Sequence, residues 1–218
     1  MDGFAGRVGH RRLFDPVTVM GVDSVRQALG ADRAAVTTVV AAAFAHDPAW
    51  AFLLAEDYDR LAPLFAGALF DLRVGSGHVW VGGADRATVA MWDPPGATED
   101  STAEASQMWA VYRHLAGDAA WQRLTEYERA IDSVRPSTPY WYLGVLATRP
   151  DRQGRGLAST VMDAVLQRAD TDGVDCCLET STVENKEFYE RRGFTDATDV
   201  RIDSGPPTWW LRRAPQGA

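Results

Sequence analysis

The chain has 218 residues, 46% hydrophobic and 24% charged, with 30 acidic against 22 basic residues and a net charge of −8. That length suits one domain with insertions, large enough to bury a core without a disulfide or metal staple, and the composition excludes an intrinsically disordered chain. The acidic balance excludes a broad nucleic-acid surface, which needs a concentrated positive field, but leaves room for a local anion pocket.

Residues 1–22 set Arg7, His10, Arg11 and Arg12 among glycines with no helical or strand period, and read as an extension that is loosely packed or partly disordered. The domain proper is expected over 23–218. It opens with a short strand at Ser24–Ala28, followed by a helix with Asp32 as its N-cap and Val36, Val39, Val40, Ala43 and Phe44 on its apolar face. Asp47-Pro48 stops that helix. A second helix spans about 57–74, with Leu61, Leu64, Phe65, Ala68, Leu69 and Leu72 on one stripe and Pro63 tolerable only near its first turn. Strands His78–Val81 and Ala87–Trp92 around Gly82-Gly83-Ala84-Asp85 read as a hairpin.

Residues 94–138 form an insertion between the third and fourth strands, bounded by Pro94-Pro95-Gly96 and Pro136-Ser137-Thr138-Pro139. Helical spacing of Ala105, Met108, Tyr112 and Leu115, and again of Ala120, Leu124, Tyr127 and Ile131, predicts two helices meeting near Gly117-Asp118. Trp109, Tyr112, Trp121 and Tyr127 could line a pocket, but core packing is the main reading for most of them. Strand Tyr140–Thr148, helix Gly156–Asp172, strand Asp175–Thr180, helix Asn185–Arg192 ended by Gly193, and strands Ala197–Ile202 and Thr208–Arg213 complete the chain. The fold class is α/β: a single domain with a mixed sheet and flanking helices. The Trp-rich closing strands fit either a core or a dimer contact, so monomer and homodimer both stay open.

The adjacent Cys176 and Cys177 lack the spacing of a disulfide framework or a zinc site, so no metal is expected, and they read as small buried residues in a reducing cytoplasm. No apolar run reaches the roughly 18 residues of a membrane span, and no basic-then-apolar leader opens the chain. The expectation is a cytoplasmic protein with neither membrane nor nucleic-acid partner.

The most informative stretch is a strand ending at Leu146-Ala147-Thr148 that passes through Arg152-Gln153-Gly154-Arg155 into a helix at Gly156-Leu157-Ala158. Glycines turn backbone amides toward one point and a helix N-terminus adds partial positive charge, a geometry that suits a pyrophosphate; Arg152 and Arg155 add cations. A plain strand-to-helix turn is the alternative. A P-loop requires Lys-Ser/Thr after the last glycine, where this chain has Leu157. A dinucleotide fingerprint requires a third glycine where Ser159 stands, although Asp175 falls near the place of a ribose-binding acid. That reading implies a nicotinamide-dependent oxidoreductase and stays open as the weaker one.

Gln153-x-x-Gly156-x-Ala158 resembles the Q/R-x-x-G-x-G/A pyrophosphate motif of the GNAT acetyltransferase superfamily. Downstream, Asn185-Lys186-Glu187-Phe188-Tyr189-Glu190-Arg191-Arg192-Gly193-Phe194 is similar to its second motif. Ala41-Ala42-Ala43-Phe44-Ala45, Leu178-Glu179-Thr180-Ser181 and Gly205-Pro206-Pro207-Thr208-Trp209 further resemble the puromycin N-acetyltransferase-like small-molecule acetyltransferases. The resemblance covers most of 24–217, and is thin across 94–138; it implies a GNAT-like fold with a splayed sheet, helices on both faces and the 94–138 helical insertion over the acceptor pocket.

The resemblance implies an acetyl-CoA-dependent N-acetyltransferase acting on the primary amine of a small molecule, such as an antibiotic or aminoacyl-nucleoside, by direct attack on the thioester. It places acetyl-CoA along Leu146, Ala147 and Thr148, its pyrophosphate on Arg152 through Ala158 and Asn185 as a cofactor contact, with an N-cap role the alternative for Asn185. Tyr189 becomes the acid for the departing thiolate, with a packing role as the alternative. A carboxylate in the middle of a sheet is unusual without a task, which makes Glu179 the candidate base. His46 and Asp47 are alternatives near the acceptor, and Trp92, Tyr112 and Trp141 are candidate acceptor contacts. A non-catalytic acyl-CoA sensor is the rival functional class.

Overall fold

Two stretches of the chain are long, apolar and extended enough to be covered on both sides, Thr88–Asp93 (β3) and Tyr140–Thr148 (β4), and they lie side by side in the middle of the fold. The structure, a computed structural model, describes residues 24–97 and 103–217; the expected extension over 1–22 lies outside them. Val25–Gln27 (β1), Val79–Gly82 (β2), β3, β4, Asp175–Thr180 (β5), Asp196–Val200 (β6) and Thr208–Arg213 (β7) make one seven-stranded sheet in the order β1-β2-β3-β4-β5-β7-β6. Every neighbouring pair is antiparallel except β4 with β5. The class is α/β with a mixed sheet and helices on both faces, as the alternating pattern predicts.

One face is covered by Arg33–Ala43 (α1), Pro48–Leu54 (α2), Tyr58–Val74 (α3) and the second of two insertion helices, Ala103–Ala116 (α4) and Asp118–Asp132 (α5). The other carries Leu157–Asp172 (α6) and Val183–Glu190 (α7), with Val161, Met162, Val165 and Tyr189 packed on Ala90, Trp92, Trp141 and Leu178. Among the described residues no single helix is long and apolar enough to cross a membrane. Trp210 is buried in the core, and burial pushes both cysteine thiols up to about 12.

Several local expectations are corrected. Asp32 stands at the start of α1, but its carboxylate makes no helix-cap bond. It is buried, accepts from the Leu29 amide at 2.9 Å and from Arg26 at 2.7 and 2.8 Å, and also pairs with Arg86 of the β2–β3 turn. It therefore bolts β1, the entry to α1 and the hairpin together. The Arg26 hydrogen bonds hold its pKa well below the usual carboxylate range, against the opposing cost of burial. A depressed value contributes stability above the unfolded carboxylate's pKa of about 3.9 and loses it as pH falls further. Asp32→Asn is expected to cost about 2 kcal/mol, discounted for its half-exposed arginines, and so to lower Tm at pH 7 by about 4–8 °C. The gap from wild type should close steadily below about pH 4; a gap that persists unchanged at pH 3 would show that the charge is not the cause.

Asp47-Pro48 does more than stop α1. Proline suits a first helical position because its missing N–H has no intrahelical partner there, and Pro48 opens α2 with Asp47 as N-cap to the Trp50 amide at 3.0 Å. Pro63 lies inside α3, beyond the first turn. It is exposed together with Asp59, whose carbonyl it leaves without a helical partner, so water can solvate that oxygen. At the other end, Thr182 rather than Asn185 caps α7, accepting from the Asn185 amide at 3.2 Å.

Two features of β4 position everything that follows. Met91 pairs with Val145 and Trp92 with Leu143, so Gly144 is an extra residue, a bulge that flips the alternation of faces. A Cβ there would come within 3.0 Å of the Arg73 Nη2 and 3.2 Å of the Tyr142 ring, which is why only glycine fits. The second feature is a fork. β4 and β5 pair only at Tyr140–Asp175, Trp141–Cys176 and Tyr142–Cys177. Beyond that β5 stays with β7 and β4 with β3, and the two strands part.

Candidate active site

The glycine turn lies where β4 leaves the sheet. Pro150–Arg152 form a single 3-10 turn, Gln153 returns its side-chain Nε2 to the Thr148 carbonyl at 3.1 Å, and Gly154 and Gly156 follow with φ of 73° and 80°. Gly156 is in the left-handed region directly ahead of α6. Ser159 donates to the Gly156 carbonyl at 3.0 Å, and the helical amides ahead of it have no partner within the helix. The first turn of α6 holds no acidic residue. A Cβ at either glycine would meet nothing within 4 Å, so the turn faces open space. These are the fittings of an anion cradle.

The expected cations are differently placed. Arg152 is bonded to Asp85 at 2.9 Å, a carboxylate it shares with Arg149, and Arg155 reaches only the Asp151 carbonyl at 3.4 Å. The cradle is therefore mainly backbone. Gly156→Val should weaken binding of a pyrophosphate-bearing ligand, with acetyl-CoA as the probe that the sequence resemblance implies, by at least tenfold, because a branched side chain disfavours positive φ and would cover the amides. Calorimetric titration reads this directly, and wild-type affinity would mean that the anion binds elsewhere.

Leu146, Ala147 and Thr148 lie on the open arm of the fork, paired with Ala90, Val89 and Thr88 on one side and with no strand on the other. Their free edge can pair with an extended, amide-bearing ligand as an added strand would. The cradle and this edge are contiguous in the chain, so one elongated ligand with a pyrophosphate at one end meets both.

On the sheet face covered by α2, α3 and α5, a cavity of about 610 Å3 opens beside the fork. Its walls include Trp50, Phe65, Trp109, Trp121, Tyr127 and Tyr142. Four carboxylates line it, Asp93, Glu128, Asp132 and Glu179, against two guanidiniums, Arg73 and Arg135. Arg73 is buried and bonded to Asp93 at 2.6 Å, while Arg135 bonds Asp132 at 2.8 Å and Glu128 at 3.3 Å. By count the lining is negative by two charges at neutral pH, which favours a cation.

Glu179 belongs to β5, and its neighbours along the strand, Leu178 and Thr180, are buried. The Tyr142 phenol lies 2.8 and 2.7 Å from its two oxygens. Tyr127, from the insertion, is buried close by, and burial keeps its phenol protonated well above the usual range, with Glu179 reinforcing the shift. Tyr189 comes from the opposite face of the sheet, packed edge-on between Phe188 and Phe194. Burial raises its pKa above the usual phenol range too, with smaller contributions from the fields of Glu179 and Asp47, so the phenol stays protonated. Among the described residues no hydrogen-bond partner of the Tyr189 phenol is seen. Asp47, the α2 cap, is itself shifted upward by desolvation.

The structure thus brings together Glu179, Tyr189, Asp47 and the open edge of β4. Asn185 is exposed on the first turn of α7, and His46 is exposed on the α1–α2 turn, away from the cavity lining. Three candidate acceptor contacts, Trp92, Trp141 and Tyr112, lie outside the cavity lining. Trp92 and Trp141 are buried on the α6 face, behind the sheet from the cavity. Tyr112 is buried behind Phe65 and Trp109 and does not line the cavity. Conversely, Trp109, Trp121 and Tyr127, read mainly as core, are cavity wall. Tyr142, Trp50 and Arg135 were not singled out by the sequence. Strict alternation along β4 would have paired Tyr142 with the face opposite Trp141, but which face holds the pocket is not local information.

Residues 104–196 match the family model described as acetyltransferase (GNAT) domain. An uncharacterized N-acetyltransferase of Schizosaccharomyces pombe is 23% identical over 118 residues, which are 50% of this chain and 48% of that protein; the chain thus spans about half the length of this curated relative. Among solved structures, a Corynebacterium glutamicum protein described as histone acetyltransferase HPA2 and related acetyltransferase superposes with a TM-score of 0.61 at 20% identity, covering 91% of this chain and 99% of that one. A Drosophila melanogaster polyamine N-acetyltransferase, which catalyses formation of N-acetylagmatine, gives 0.58 at 17% identity, covering 88% and 99%. Arylalkylamine N-acetyltransferase 2 of Aedes aegypti gives 0.61 at 11% identity, covering 90% and 100%.

Proposed function

From the match of residues 104–196 to the GNAT acetyltransferase domain model, we propose that this chain transfers an acetyl group from acetyl-CoA to the primary amine of a small molecule with an apolar, aromatic body. The observation that carries the reading is the position of Glu179. A carboxylate held on the floor of an aromatic, negatively charged cavity opens onto the same fork that ends in the anion cradle. The backbone of Gln153–Ala158 would hold the pyrophosphate, and the open edge of Leu146–Thr148 would hold the amide-bearing arm. Bound acetyl-CoA supplies an activated acyl group as a thioester.

The chain's own residues then handle two protons. An amine enters the cavity as its ammonium, attracted by the surplus carboxylates, and gives one proton to Glu179. The free nitrogen lone pair attacks the thioester carbonyl, forming the C–N bond as the C–S bond breaks. Tyr189 donates its phenolic proton to the departing sulfur and regains one from the nitrogen as the amide forms. The balance is ammonium plus thioester giving amide, free thiol and the one proton left on Glu179. No covalent enzyme intermediate is needed. A cavity of this size suits a drug-sized acceptor more closely than a slim polyamine, and its rings favour a body with apolar surface. An antibiotic-like amine such as an aminoacyl-nucleoside fits that description, with self-protection as its use.

The test is acetyl-CoA consumption over a panel holding puromycin, 2-phenylethylamine, tryptamine, agmatine and spermidine, with product mass read in parallel. Gain of one acetyl group on the aromatic amines, with weaker or no gain on the aliphatic ones, is the expected result. Preference for spermidine or agmatine would refute the aromatic-acceptor reading, and failure to bind acetyl-CoA would refute the transferase.

A further inference from the structure

We propose that Tyr142 is a positioning residue for Glu179, holding its carboxylate ionised and oriented for the acceptor; this rests on the reading of Glu179 as the proton acceptor. A phenol has one hydrogen, yet the Tyr142 oxygen stands 2.8 and 2.7 Å from both oxygens of Glu179. The single O–H is therefore aimed at both oxygens in a forked hydrogen bond, which fixes where the carboxylate sits relative to the phenol. Hydrogen bonds to an ionised carboxylate stabilise the charged form and are stronger than neutral ones.

The tyrosine is itself clamped. Its ring is stacked on Trp210 with centroids 5.9 Å apart and planes 10° from parallel, and Trp210 is the β7 residue paired with Glu179 in the sheet. The Arg135 guanidinium lies 5.4 Å from the ring centroid. A cation on the ring draws electron density from the phenol and makes its O–H a better donor. Arg135 is in turn bonded to Asp132 and Glu128 of α5, so the insertion reaches the base through the tyrosine. The other titratable and charged groups around this corner are Arg73 of α3, Asp93 of β3 and Tyr127, Glu128 and Asp132 of α5 on the cavity wall, with Tyr189 of α7 and Asp47 ahead of α2 acting through their fields.

The substitution that isolates the bond is Tyr142→Phe, which keeps the ring, its stack and the cation. Two readouts are needed. The first is the pH dependence of kcat/KM for an accepted amine: loss of one hydrogen bond to the charged form should move the acidic limb up by about one pH unit and lower kcat near neutrality by about tenfold, with KM for acetyl-CoA unchanged. The second does not depend on turnover. Difference infrared titration of the enzyme follows the protonated carboxyl band that Glu179→Gln removes, and its midpoint should rise by about one pH unit in Tyr142→Phe.

A merely structural tyrosine would lower Tm and leave both midpoints in place, and that result overturns the proposal. If the wild-type protein acetylates no amine while the infrared midpoint still moves, the hold of Tyr142 on Glu179 is supported and the proposed function is what fails. Should Tyr142→Phe not fold, Arg135→Met removes the cation from the ring and reads the same infrared midpoint; a rise supports the clamp, and an unmoved midpoint overturns it.

Discussion

Glu179→Gln is expected to lower kcat/KM for the amine by about 10^3-fold near neutral pH, within the usual range for loss of a general base. Glutamine preserves the shape, and its carbonyl can still accept from the Tyr142 phenol, so folding and acetyl-CoA affinity should be kept. What it lacks is the ability to take a proton from the incoming ammonium. The variant must therefore wait for the small fraction of amine already neutral, which at pH 7 is about one part in 10^3 for an alkylammonium with a lysine-like pKa of about 10.4. The expected signature follows: the acidic limb of the wild-type profile disappears, and the rate instead climbs with pH toward the amine's own pKa. A variant profile that overlays wild type would remove Glu179 from the mechanism. Asp47, which also faces Tyr189, would then be the carboxylate to replace next.

Tyr189→Phe should reduce kcat by about 10^2-fold, at the low end of the range for general acids. The smaller figure has a chemical reason. A thiolate has a reference pKa of about 8.5 against about 10 for a phenol, so the leaving sulfur needs less help than the attacking nitrogen. Burial raises the Tyr189 phenol further, which keeps it protonated across the working range but makes it a reluctant acid. Its ring packs between Phe188 and Phe194, so phenylalanine should leave Tm unchanged. The loss is expected in kcat alone, measured by steady-state kinetics with acetyl-CoA varied. An unchanged kcat, or a loss confined to KM for acetyl-CoA, would return Tyr189 to a packing role.

The parts of this protein that depend on neighbours in sequence were readable from sequence. The turn from Thr148 to Ala158 needs two glycines with positive φ and a helix start, all within one short segment, and the structure has both. Glu179 was conspicuous as a charge directly after the apolar run Cys176-Cys177-Leu178 of a strand. The acceptor cavity was not readable in the same way. It is built from α2, α3, α5 and one face of β4, and the relevant face is decided by tertiary packing. Trp141 and Tyr142 are adjacent aromatic residues of equal promise in a string of letters, yet one packs under α6 and the other faces the cavity. Asp47-Pro48 shows a similar ambiguity, since the same dipeptide can end one helix or begin the next, and here it begins one. Asp32 has the composition of a helix cap, but Arg26 from the preceding strand and Arg86 from a distant turn claim its oxygens first.

The fork also has a mechanical meaning. The sheet is two plates, β1 to β4 and β5 to β7, welded along three residue pairs, the last of them Tyr142 with Cys177. Just past the end of that weld, the Tyr142 side chain reaches across to Glu179 and adds one more stitch, made of side chains where the backbone has let go. Any strain that prises the plates apart concentrates at the tip of a crack, and here the tip is that stitch. The gape of the cleft and the aim of its carboxylate are therefore set by a single fastening, and one cannot widen without the other turning.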